Sequence, residues 1–420
     1  MNSRVVITGL GLATPVGRGV EACWSQLLAG RSGIGPITLF DASTLPVRIG
    51  GEVHGLPLAE LAAQFPACAG ESDRKIWLGL DAATHALDDA ELRTDALENA
   101  ALFLGVSLEN FCLEAIAPAV AADDLAGTLA RHALQAAPRR PLQTPLDQLT
   151  VLLAQRFGFR GGRWINCSAC AAGAQALGEA FHRVREGASD LALAGAADST
   201  LNPLGLGGFS LLHILAEENE RPEKACRPFD ATRQGTVLSE ASAFVVLENL
   251  AHAQRRGARI YAEVVGYASS LDAFRVTDPE PDGRGATLSM SKALADARLQ
   301  PAQMDAVNAH GTGTPKNDIA ETLAIKQALG ARAKEIPVTA NKSMTGHCIS
   351  ASGAVEAAVS ALMLARGQIP PTINLEHPDP RCDLDYVAGG RRAFGGRTVL
   401  SNSFGFGGQN ATLIFQRYEP

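Results

Sequence analysis

The chain has 420 residues, of which 46% are hydrophobic and 19% charged, so it can bury a large core and lacks the composition of a disordered protein. A net charge of −7 at pH 7 argues against a nucleic-acid-binding protein, which usually presents a basic face. No stretch reaches the roughly 18 uninterrupted apolar residues of a membrane helix, so we expect a cytoplasmic protein whose eight cysteines are reduced.

The first half of the chain alternates between predicted strands and helices. Its opening, MNSRVVITGLGLATPVG, is typical of a buried strand and a turn rather than a secretion signal. Further strands are predicted over 99–110, up to Asn166, over 190–198 and over 242–250, and helices over 19–33, 73–90, 170–185 and 251–257. Residues 114–150, rich in Ala, Pro and Arg, predict a mixture of short helix and loop.

The second half repeats this alternation, which predicts an α/β fold over the whole length. Strands are predicted over 259–270, 306–311, 336–340, 398–405 and 410–418, and helices over 287–298, 318–329 and 350–366. The helix sequence SACAAGAQALGEA is similar in character to SASGAVEAAVSA of the second half. We therefore expect a duplicated unit, residues 1–250 and 251–420, with a site where the halves meet.

Two cysteines, Cys167 and Cys170, have the C-x-x-C spacing of redox pairs and zinc half-sites. A thioredoxin-like pair would come early in a small domain, and a zinc site would need a second ligand pair at the usual spacing. In the third interpretation Cys170 is a single nucleophile where a strand turns into a helix, because a helix N-terminus favours thiolate. An inert buried cysteine is equally consistent with this stretch alone.

The segment VNAHGTGTPKNDIAE places His310 where an apolar strand enters a turn rich in Gly and Thr. There a histidine ring can point into a cleft while Thr312 and Thr314 offer hydroxyl groups. Asp318 and Glu321 are predicted to cap or charge the start of the following helix. The alternative is a turn histidine that only satisfies backbone groups.

The segment NKSMTGHCISASGAVEA carries Lys342, His347 and Glu356. Lys342 and Glu356 are candidates for a partly buried ion pair; the alternative is a solvated lysine and a surface glutamate. Cys348 beside His347 also admits a zinc site with Cys170 and His310, but a nearby lysine would oppose the cation.

The segment LSNSFGFGGQNA has glycines that allow unusual backbone angles beside two phenylalanines. It predicts either a movable apolar gate or a glycine-rich turn with two core aromatics. The spacing of the glycines is not that of a phosphate-binding loop, and no helix follows.

Together these segments resemble the β-ketoacyl-acyl-carrier-protein synthases of the elongating type, in the thiolase superfamily. The resemblance covers nearly the whole chain and rests on RVVITGLGLATPVG, LLAGRSGI, SACAAG, CRPFDATRQG, NAHGTGTPKNDIAE, KSMTGH and SNSFGFGG, in that order. It implies a thiolase-like fold in which two duplicated halves form a five-layer αβαβα core.

The resemblance also implies the roles of single residues. Cys170 would accept the acyl group, His310 and His347 would hold the malonyl thioester during decarboxylation, and Lys342 and Glu356 would be a supporting ion pair. Phe404 would be the gate, and its backbone N–H would join that of Cys170 as the oxyanion hole. The expected substrate-binding residues are Thr277, Thr312, Thr314 and, near the acyl pocket, Leu108.

Partners and cofactors follow from the same resemblance. The substrates would be carried on the phosphopantetheine of an acyl carrier protein, with no other cofactor and no metal. The enzyme would form a homodimer or pair with a chain-length factor, in fatty-acid or in type II polyketide or polyene elongation. An acidic carrier protein would meet a local basic patch, for which Arg74, Lys75, Arg139 and Arg140 are candidates beside the alternative of ordinary solvated charges.

The sequence departs from the family pattern at three places. LGVSLENF, with Leu108 and Glu109, replaces a glycine-rich turn near the acyl pocket. Ser239 and Ala241 stand where the family typically has glycines, and residues 111–140 are divergent.

Three competing classes remain for comparison. A non-catalytic chain-length factor would lack the nucleophilic cysteine, which this chain has. A thiolase would use a second cysteine near the C-terminus, where SNSFGFGG stands instead. A thiol-disulfide oxidoreductase rests on Cys167 and Cys170 alone.

Overall fold

A computed structural model of the chain describes residues 3–68, 70–108, 127 and 144–420. Its α-helices in these ranges are α1 Val20–Leu28, α2 Leu58–Gln64, α3 Arg74–Asp89, α4 Gln148–Phe157, α5 Ala172–Arg185, α6 Pro203–Leu211, α7 Leu250–Arg255, α8 Arg284–Ala297, α9 Asn317–Leu329, α10 Lys342–Thr345 and α11 Ser352–Arg366. Glu109, Arg139, Arg140 and most of the divergent region lie outside the described residues.

The strands in the same ranges are β1 Val5–Thr14, β2 Gly17–Arg18, β3 Ile34–Pro36, β4 Ile49–Gly51, β5 Ala101–Gly105, β6 Arg163–Asn166, β7 Leu191–Asp198, β8 Ala241–Asn249, β9 Ala262–Leu271, β10 Ala306–Asn308, β11 Val338–Thr339, β12 Gln368–Ile369, β13 Arg392–Ala393, β14 Thr398–Gly405 and β15 Gln409–Gln416. The main sheet has the order β11-β10-β14-β15-β9-β1-β8-β7-β5-β6, with β2 paired to β1.

The two halves of this sheet have the same topology. Numbered within each half, both run 3-2-4-5-1 from the outer edge inwards, with parallel pairs outside and antiparallel pairs inside. They join where β1 pairs antiparallel with β9, as Val6 with Glu263. This repetition supports the predicted duplication; the boundary at residue 250 stays a prediction.

Helices α5 and α11 form a buried layer between the halves, and other helices cover the outer faces. Alternate residues of each strand point to opposite faces of the sheet, one towards the central helices and one towards the outer helices. Val245 faces the central helices, and Val246 faces α3. In the second half Leu413 faces inwards and Ile414 faces α8 and α9. The order of layers is therefore helix, sheet, helix, sheet, helix, as predicted.

The small residues of the two central helices allow their N-termini to touch. A Cβ on Gly173 would lie 2.5 Å from the Ser350 carbonyl oxygen, and one on Gly353 would lie 2.7 Å from the Ala174 nitrogen. Glycine at both positions therefore lets the segment before α5, with Cys170, meet the segment before α11, with His347. The stretch 349–366 has the length and hydropathy of a membrane span, but 89% of it is buried in this core.

The predicted elements agree with the structure within a few residues, apart from short ones. Helix α4, of ten residues, was not predicted, and neither were the shorter helices α2, α6 and α10, strand β2 and the two-stranded ribbons β3–β4 and β12–β13. The shorter segments carry too few residues for a period of 2 or 3.6 to show.

Candidate active site

Cys170 lies at a strained strand-to-helix turn in the centre of the protein. Strand β6 ends at Asn166, a short 3-10 turn covers Ala169–Ala171, and α5 begins at Ala172. Ala169 has a positive φ of 49°, which is costly for a residue other than glycine. This turn brings the thiol to the interior, where Cys170 is 5% exposed.

The resting Cys170 is a neutral thiol. Burial raises the pKa of Cys170 to about 12, and the charge of Lys342 and the backbone N–H of Phe406 oppose this rise only in part. We expected the helix N-terminus to favour thiolate, but desolvation outweighs it. The group that can take the proton is His347, whose Nε2 lies 3.1 Å from the Cys170 sulfur.

His310 follows strand β10 and is locked in one tautomer. Lys342 Nζ lies 3.1 Å from His310 Nδ1 and donates to the His310 carbonyl oxygen at 2.7 Å. Because an ammonium group only donates, Nδ1 accepts and the ring proton sits on Nε2. His310 therefore presents an N–H to the cavity, with its ring centre 5.3 Å from that of His347.

His347 can exchange its ring proton between the two nitrogens. Its Nδ1 lies 3.0 Å from Ser352 Oγ, which also accepts from the backbone N–H of Cys348. A hydroxyl group can donate to Nδ1 or accept from it, so Ser352 serves either tautomer. Burial and the charge of Lys342 hold the pKa of both His310 and His347 well below the usual value, and both rings are neutral at pH 7.

Lys342 and Glu356 form a buried ion pair, each 1% exposed. Burial raises the pKa of Glu356 to about 7, while Lys342 opposes the rise. The alternative of a solvated lysine and a surface glutamate is therefore wrong. The pair holds a positive charge directly behind His310.

Glu321 and Asp318 fix the turn that carries His310. Glu321 accepts the backbone N–H groups of His310 and Gly311, both at 2.8 Å. Asp318 accepts those of Phe229 at 2.7 Å and Gly313 at 3.1 Å. Burial raises the pKa of Glu321 to about 7. Both carboxylates therefore accept hydrogen bonds from backbone groups before α9, and both residues lie in the first turns of that helix.

The backbone donor expected from Phe404 comes from Phe406 instead. The backbone N–H groups of Phe406 and of Cys170 both interact with the Cys170 sulfur and lower the pKa of the thiol. Phe404 lies inside strand β14, paired with Asn410, and its side chain is 8% exposed with its ring 5.8 Å from that of His310. We therefore propose Phe406 in place of Phe404 as the oxyanion donor, and the role of gate stays a prediction.

Glycines bring Phe406 to this position. A Cβ on Gly405 would lie 3.0 Å from the Cys170 nitrogen, so only glycine lets the Phe406 loop and the Cys170 turn approach each other freely. Gly407 and Gly408 have φ values of 77° and 73°, which favour glycine. The half-buried Phe406 ring stacks on Phe209 with 6.4 Å between ring centres. The loop thus combines a fixed N–H with an apolar ring at the cavity.

A cavity of about 380 Å³ joins these groups. Its lining includes all of the following predicted residues: Cys170, Thr277, His310, Thr312, Thr314, His347 and Phe404. Leu108 is not among its lining residues, and its side chain is 54% exposed. The expected role of Leu108 in substrate binding is therefore not supported by its position.

The two cysteines of the C-x-x-C spacing differ in environment. Cys170 is buried, whereas Cys167 is exposed and its sulfur lies 2.9 Å from the Ser107 carbonyl oxygen; no disulfide joins them. Within the described ranges no group of three or more His, Cys, Asp or Glu side chains is placed to hold a metal ion.

The predicted basic patch is wrong for Arg74 and Lys75. Arg74 donates to the carboxylate of Glu240 from Nε at 2.8 Å and Nη2 at 2.6 Å. Lys75 is 2% exposed, donates to the Leu108 carbonyl oxygen at 2.6 Å and pairs with Asp73 at 3.1 Å. Lys75 is therefore enclosed, and Arg74, with a side chain that is 26% exposed, is committed to Glu240. Arg139 and Arg140 lie outside the described residues.

Three residues of the site were missed or misread in the sequence. Ser352 has no motif of its own, and Glu321 was read only as a helix-capping residue. The backbone N–H of Phe406 gave no sequence signal, because every residue but proline has one. The run Gly405-Phe406-Gly407-Gly408 was the available hint, because it marks a close approach of the chain.

Two family models cover most of the chain. Residues 2–253 match "Beta-ketoacyl synthase, N-terminal domain" and residues 261–376 match "Beta-ketoacyl synthase, C-terminal domain". A protein named 3-oxoacyl-[acyl-carrier-protein] synthase 2 from Synechocystis sp. is 41% identical over 99% of this chain and 98% of its own length. A protein of the same name from Coxiella burnetii is 38% identical over the same shares.

Solved structures show the same fold. A type II PKS ketosynthase in complex with its acyl-carrier protein and bound to a hexaketide has a TM-score of 0.87 and 31% identity over the full length of both chains. The ishigamide ketosynthase/chain length factor has a TM-score of 0.88 and 33% identity, again over both full lengths.

Proposed function

The chain belongs to the β-ketoacyl synthase family, and from this premise we propose that it is a 3-oxoacyl-acyl-carrier-protein synthase that condenses malonyl-carrier protein with an acyl chain held on Cys170. The observation that carries the proposal is the contact of 3.1 Å between His347 Nε2 and the Cys170 sulfur, beside a second neutral histidine in one cavity. The name of the relatives that are 38–41% identical supports the same reaction.

The first step transfers the acyl group to Cys170. His347 Nε2 takes the thiol proton, and the sulfur attacks the thioester carbonyl carbon. The backbone N–H groups of Cys170 and Phe406, which both interact with the sulfur, stabilise the oxyanion. The carrier thiolate then leaves and takes the proton back from His347, so no net proton is consumed.

The second step removes CO₂ from malonyl-carrier protein. The bond between the α-carbon and the carboxylate breaks, and its electrons form an enolate on the thioester oxygen. Two neutral imidazoles that donate from Nε2 stabilise this charge. Lys342 fixes that tautomer for His310, and Ser352 permits it for His347.

The third step joins the chains. The enolate carbon attacks the acyl-Cys170 carbonyl carbon. The oxyanion of the tetrahedral intermediate accepts hydrogen bonds from the same two backbone N–H groups, those of Cys170 and Phe406. Cys170 leaves as a thiolate and takes up one proton from solvent water by way of His347, so the condensation consumes one proton overall. Phe406 at the cavity wall would exclude water from the acyl-enzyme and so limit its hydrolysis.

Thr277, Thr312 and Thr314 are the proposed contacts of the phosphopantetheine arm. Their place in the cavity that leads to Cys170 supports this role, and the Oγ atoms of Thr312 and Thr314 lie 3.0 Å apart. Beyond that arm, the three steps draw only on proton transfer and hydrogen bonding by these side chains, so we propose no further cofactor and no metal.

The assembly and pathway are also proposals. We favour fatty-acid elongation by a cytoplasmic homodimer, since the curated relatives carry the synthase 2 name. Among the strands of the described residues, β6 is the outermost of its half, and the 39% exposed Trp164 there stacks on Phe103, which suits pairing with a second copy. The likeness to the ishigamide ketosynthase/chain length factor favours the heterodimer as second candidate.

Intact-protein mass spectrometry tests the proposal. The wild type and Cys170→Ala are mixed with a panel of acyl-carrier proteins. We expect a gain of one acyl group that Cys170→Ala abolishes, and release of CO₂ on adding malonyl-carrier protein. A gain on Cys170 with saturated chains and a homodimeric mass supports fatty-acid elongation. A protein that gains acyl groups only beside a second subunit supports the heterodimer, and a gain retained by Cys170→Ala contradicts the mechanism.

A further inference from the structure

The main chain of His347 is held by residues 237–240, which we call the clamp segment. The N–H of His347 donates to the Val237 carbonyl oxygen at 2.7 Å, and the N–H of Ser239 donates to the His347 carbonyl oxygen at 3.0 Å. These two bonds fix the backbone from which the imidazole reaches Cys170. The position of the clamp segment therefore sets the position of His347.

The clamp segment has little room to move. On its far side the Gly51 N–H donates to the Leu238 carbonyl oxygen at 3.1 Å, and the Glu240 N–H donates to the Gly51 carbonyl oxygen at 3.0 Å. The Ser239 side chain packs against two glycines. A Cβ added to Gly51 would lie 2.4 Å from the Ser239 Oγ, and a Cβ added to Gly346 would lie 1.9 Å from the same atom. A displacement at Glu240 is therefore transmitted to His347 rather than absorbed.

Glu240 anchors the end of the clamp segment with a fully buried carboxylate. Arg74 binds it through two nitrogens, at 2.6 and 2.8 Å, in the bidentate geometry that gives strong charge-assisted bonds. The Val53 N–H donates at 2.9 Å and the Ser199 hydroxyl at 2.7 Å. Arg74 thus supplies the cation that keeps this charge inside the protein.

We propose that Arg74 and Glu240 are positioning residues for His347. The ion pair fixes the clamp segment, and the clamp segment fixes His347 Nε2 relative to the Cys170 sulfur. Neither residue lines the cavity, so neither touches substrate. The inference rests on the proposed function of His347 in decarboxylation. A misplacement of about 1 Å can lower a rate about a hundredfold, so an indirect contact of this kind can govern turnover.

Arg18 of β2 offers a matched control, because its partner Asp81 lies on α3, the helix that carries Arg74. It binds Asp81 of α3 through Nε at 3.1 Å and Nη2 at 2.6 Å. Its side chain is 24% exposed against 26% for Arg74, and both carboxylate partners are buried. Arg18→Gln therefore breaks an ion pair of the same kind that does not reach the clamp segment.

The experiment measures CO₂ release from malonyl-carrier protein, thermal unfolding and the rate at which iodoacetamide alkylates Cys170. For Arg74→Gln we expect kcat for CO₂ release to fall about tenfold to a hundredfold with KM within about threefold. Alkylation should slow as well, because His347 no longer takes the thiol proton. Arg18→Gln should keep both rates within about twofold at a similar loss of Tm. Arg74→Lys should lose less than Arg74→Gln, about threefold to tenfold, because it keeps the charge without the bidentate geometry.

Each contrary outcome overturns the proposal. It is wrong if Arg74→Gln releases CO₂ at the wild-type rate, or if Arg18→Gln loses as much as Arg74→Gln. Should Arg74→Gln not fold, Arg74→Lys carries the test, with an expected loss of about threefold to tenfold against unchanged KM. A wild type that releases no CO₂ contradicts the proposed function instead, and Cys170 alkylation then still tests the positioning.

Discussion

Replacing Lys342 by methionine tests the central electrostatic claim about the site. The variant keeps the apolar stem but leaves Glu356 buried without its cation. Breaking a buried pair from one side costs about 3 to 5 kcal/mol. An unfolding entropy of about 2.1 cal/mol/K per residue gives about 0.9 kcal/mol/K for a chain of this length, so Tm should fall by about 3 to 6 °C at pH 8.

The loss should be smaller at low pH, because Glu356 can then be neutral. Burial raises the pKa of Glu356 to about 7 in the wild type, and a raised carboxyl pKa contributes stability that is lost as pH rises through it. From pH 6 to 8 the wild type loses roughly 1 kcal/mol in this way. Without the ammonium the pKa of Glu356 rises further, so the variant loses more stability than the wild type over the same interval, by a difference on the order of 1 kcal/mol.

The assay is chemical denaturation at pH 6 and pH 8 with two further variants. Lys342→Met/Glu356→Gln should recover most of the loss, because no buried charge remains. Lys334→Met, at a lysine that is 63% exposed, should change stability by no more than about 0.5 kcal/mol. CO₂ release by Lys342→Met should fall about tenfold or more, since His310 loses its fixed tautomer. An equal loss of stability at both pH values, or no recovery in the double variant, would refute the reasoning.

Three further predictions concern the nucleophile and its loop. In His347→Ala, alkylation of Cys170, followed on its own peptide by mass spectrometry, should rise about tenfold per pH unit from pH 7 to 9, because only the free thiolate then reacts and burial raises the pKa of the thiol to about 12; in the wild type, where neutral His347 takes the proton, the rate should change little, and a plateau below pH 8 in the variant would contradict this. Gly405→Ala should lower kcat about fivefold to tenfold at similar Tm, since its Cβ would lie 3.0 Å from the Cys170 nitrogen and displace the turn by a few tenths of an ångström; unchanged kcat would contradict the close approach. Phe406→Ala should raise hydrolysis of the acyl-enzyme with little change in Tm, whereas the buried Phe404→Ala should lower Tm at a cost of about 3 to 5 kcal/mol; the reverse pattern, measured by loss of acyl mass with time, would assign the gate to Phe404.

The amino-acid sequence by itself determined the fold class and the reacting groups. The alternation of periods 2 and 3.6 located the long strands and helices, because each buries one face along its own length. The order Cys170, His310, Lys342, His347 identified the family, since the chemistry requires those residue types in those turns. The ion pair of Lys342 with Glu356 was a candidate in the sequence beside a solvated alternative, and the resemblance to the family favoured the pair that the structure shows.

Only the tertiary structure decided which groups are buried and which atoms face one another. The balance between the helix N-terminus and desolvation at Cys170 depends on neighbours more than 100 residues away in the chain. Arg74 and Lys75 are residue types typical of a basic surface patch. Their side chains point inwards because Arg74 donates to Glu240 and Lys75 donates to the Leu108 carbonyl oxygen. A backbone N–H, such as that of Phe406, is common to every residue but proline and acquires a role only through position. Residue types are local properties of a sequence, whereas burial and contact are properties of the folded chain.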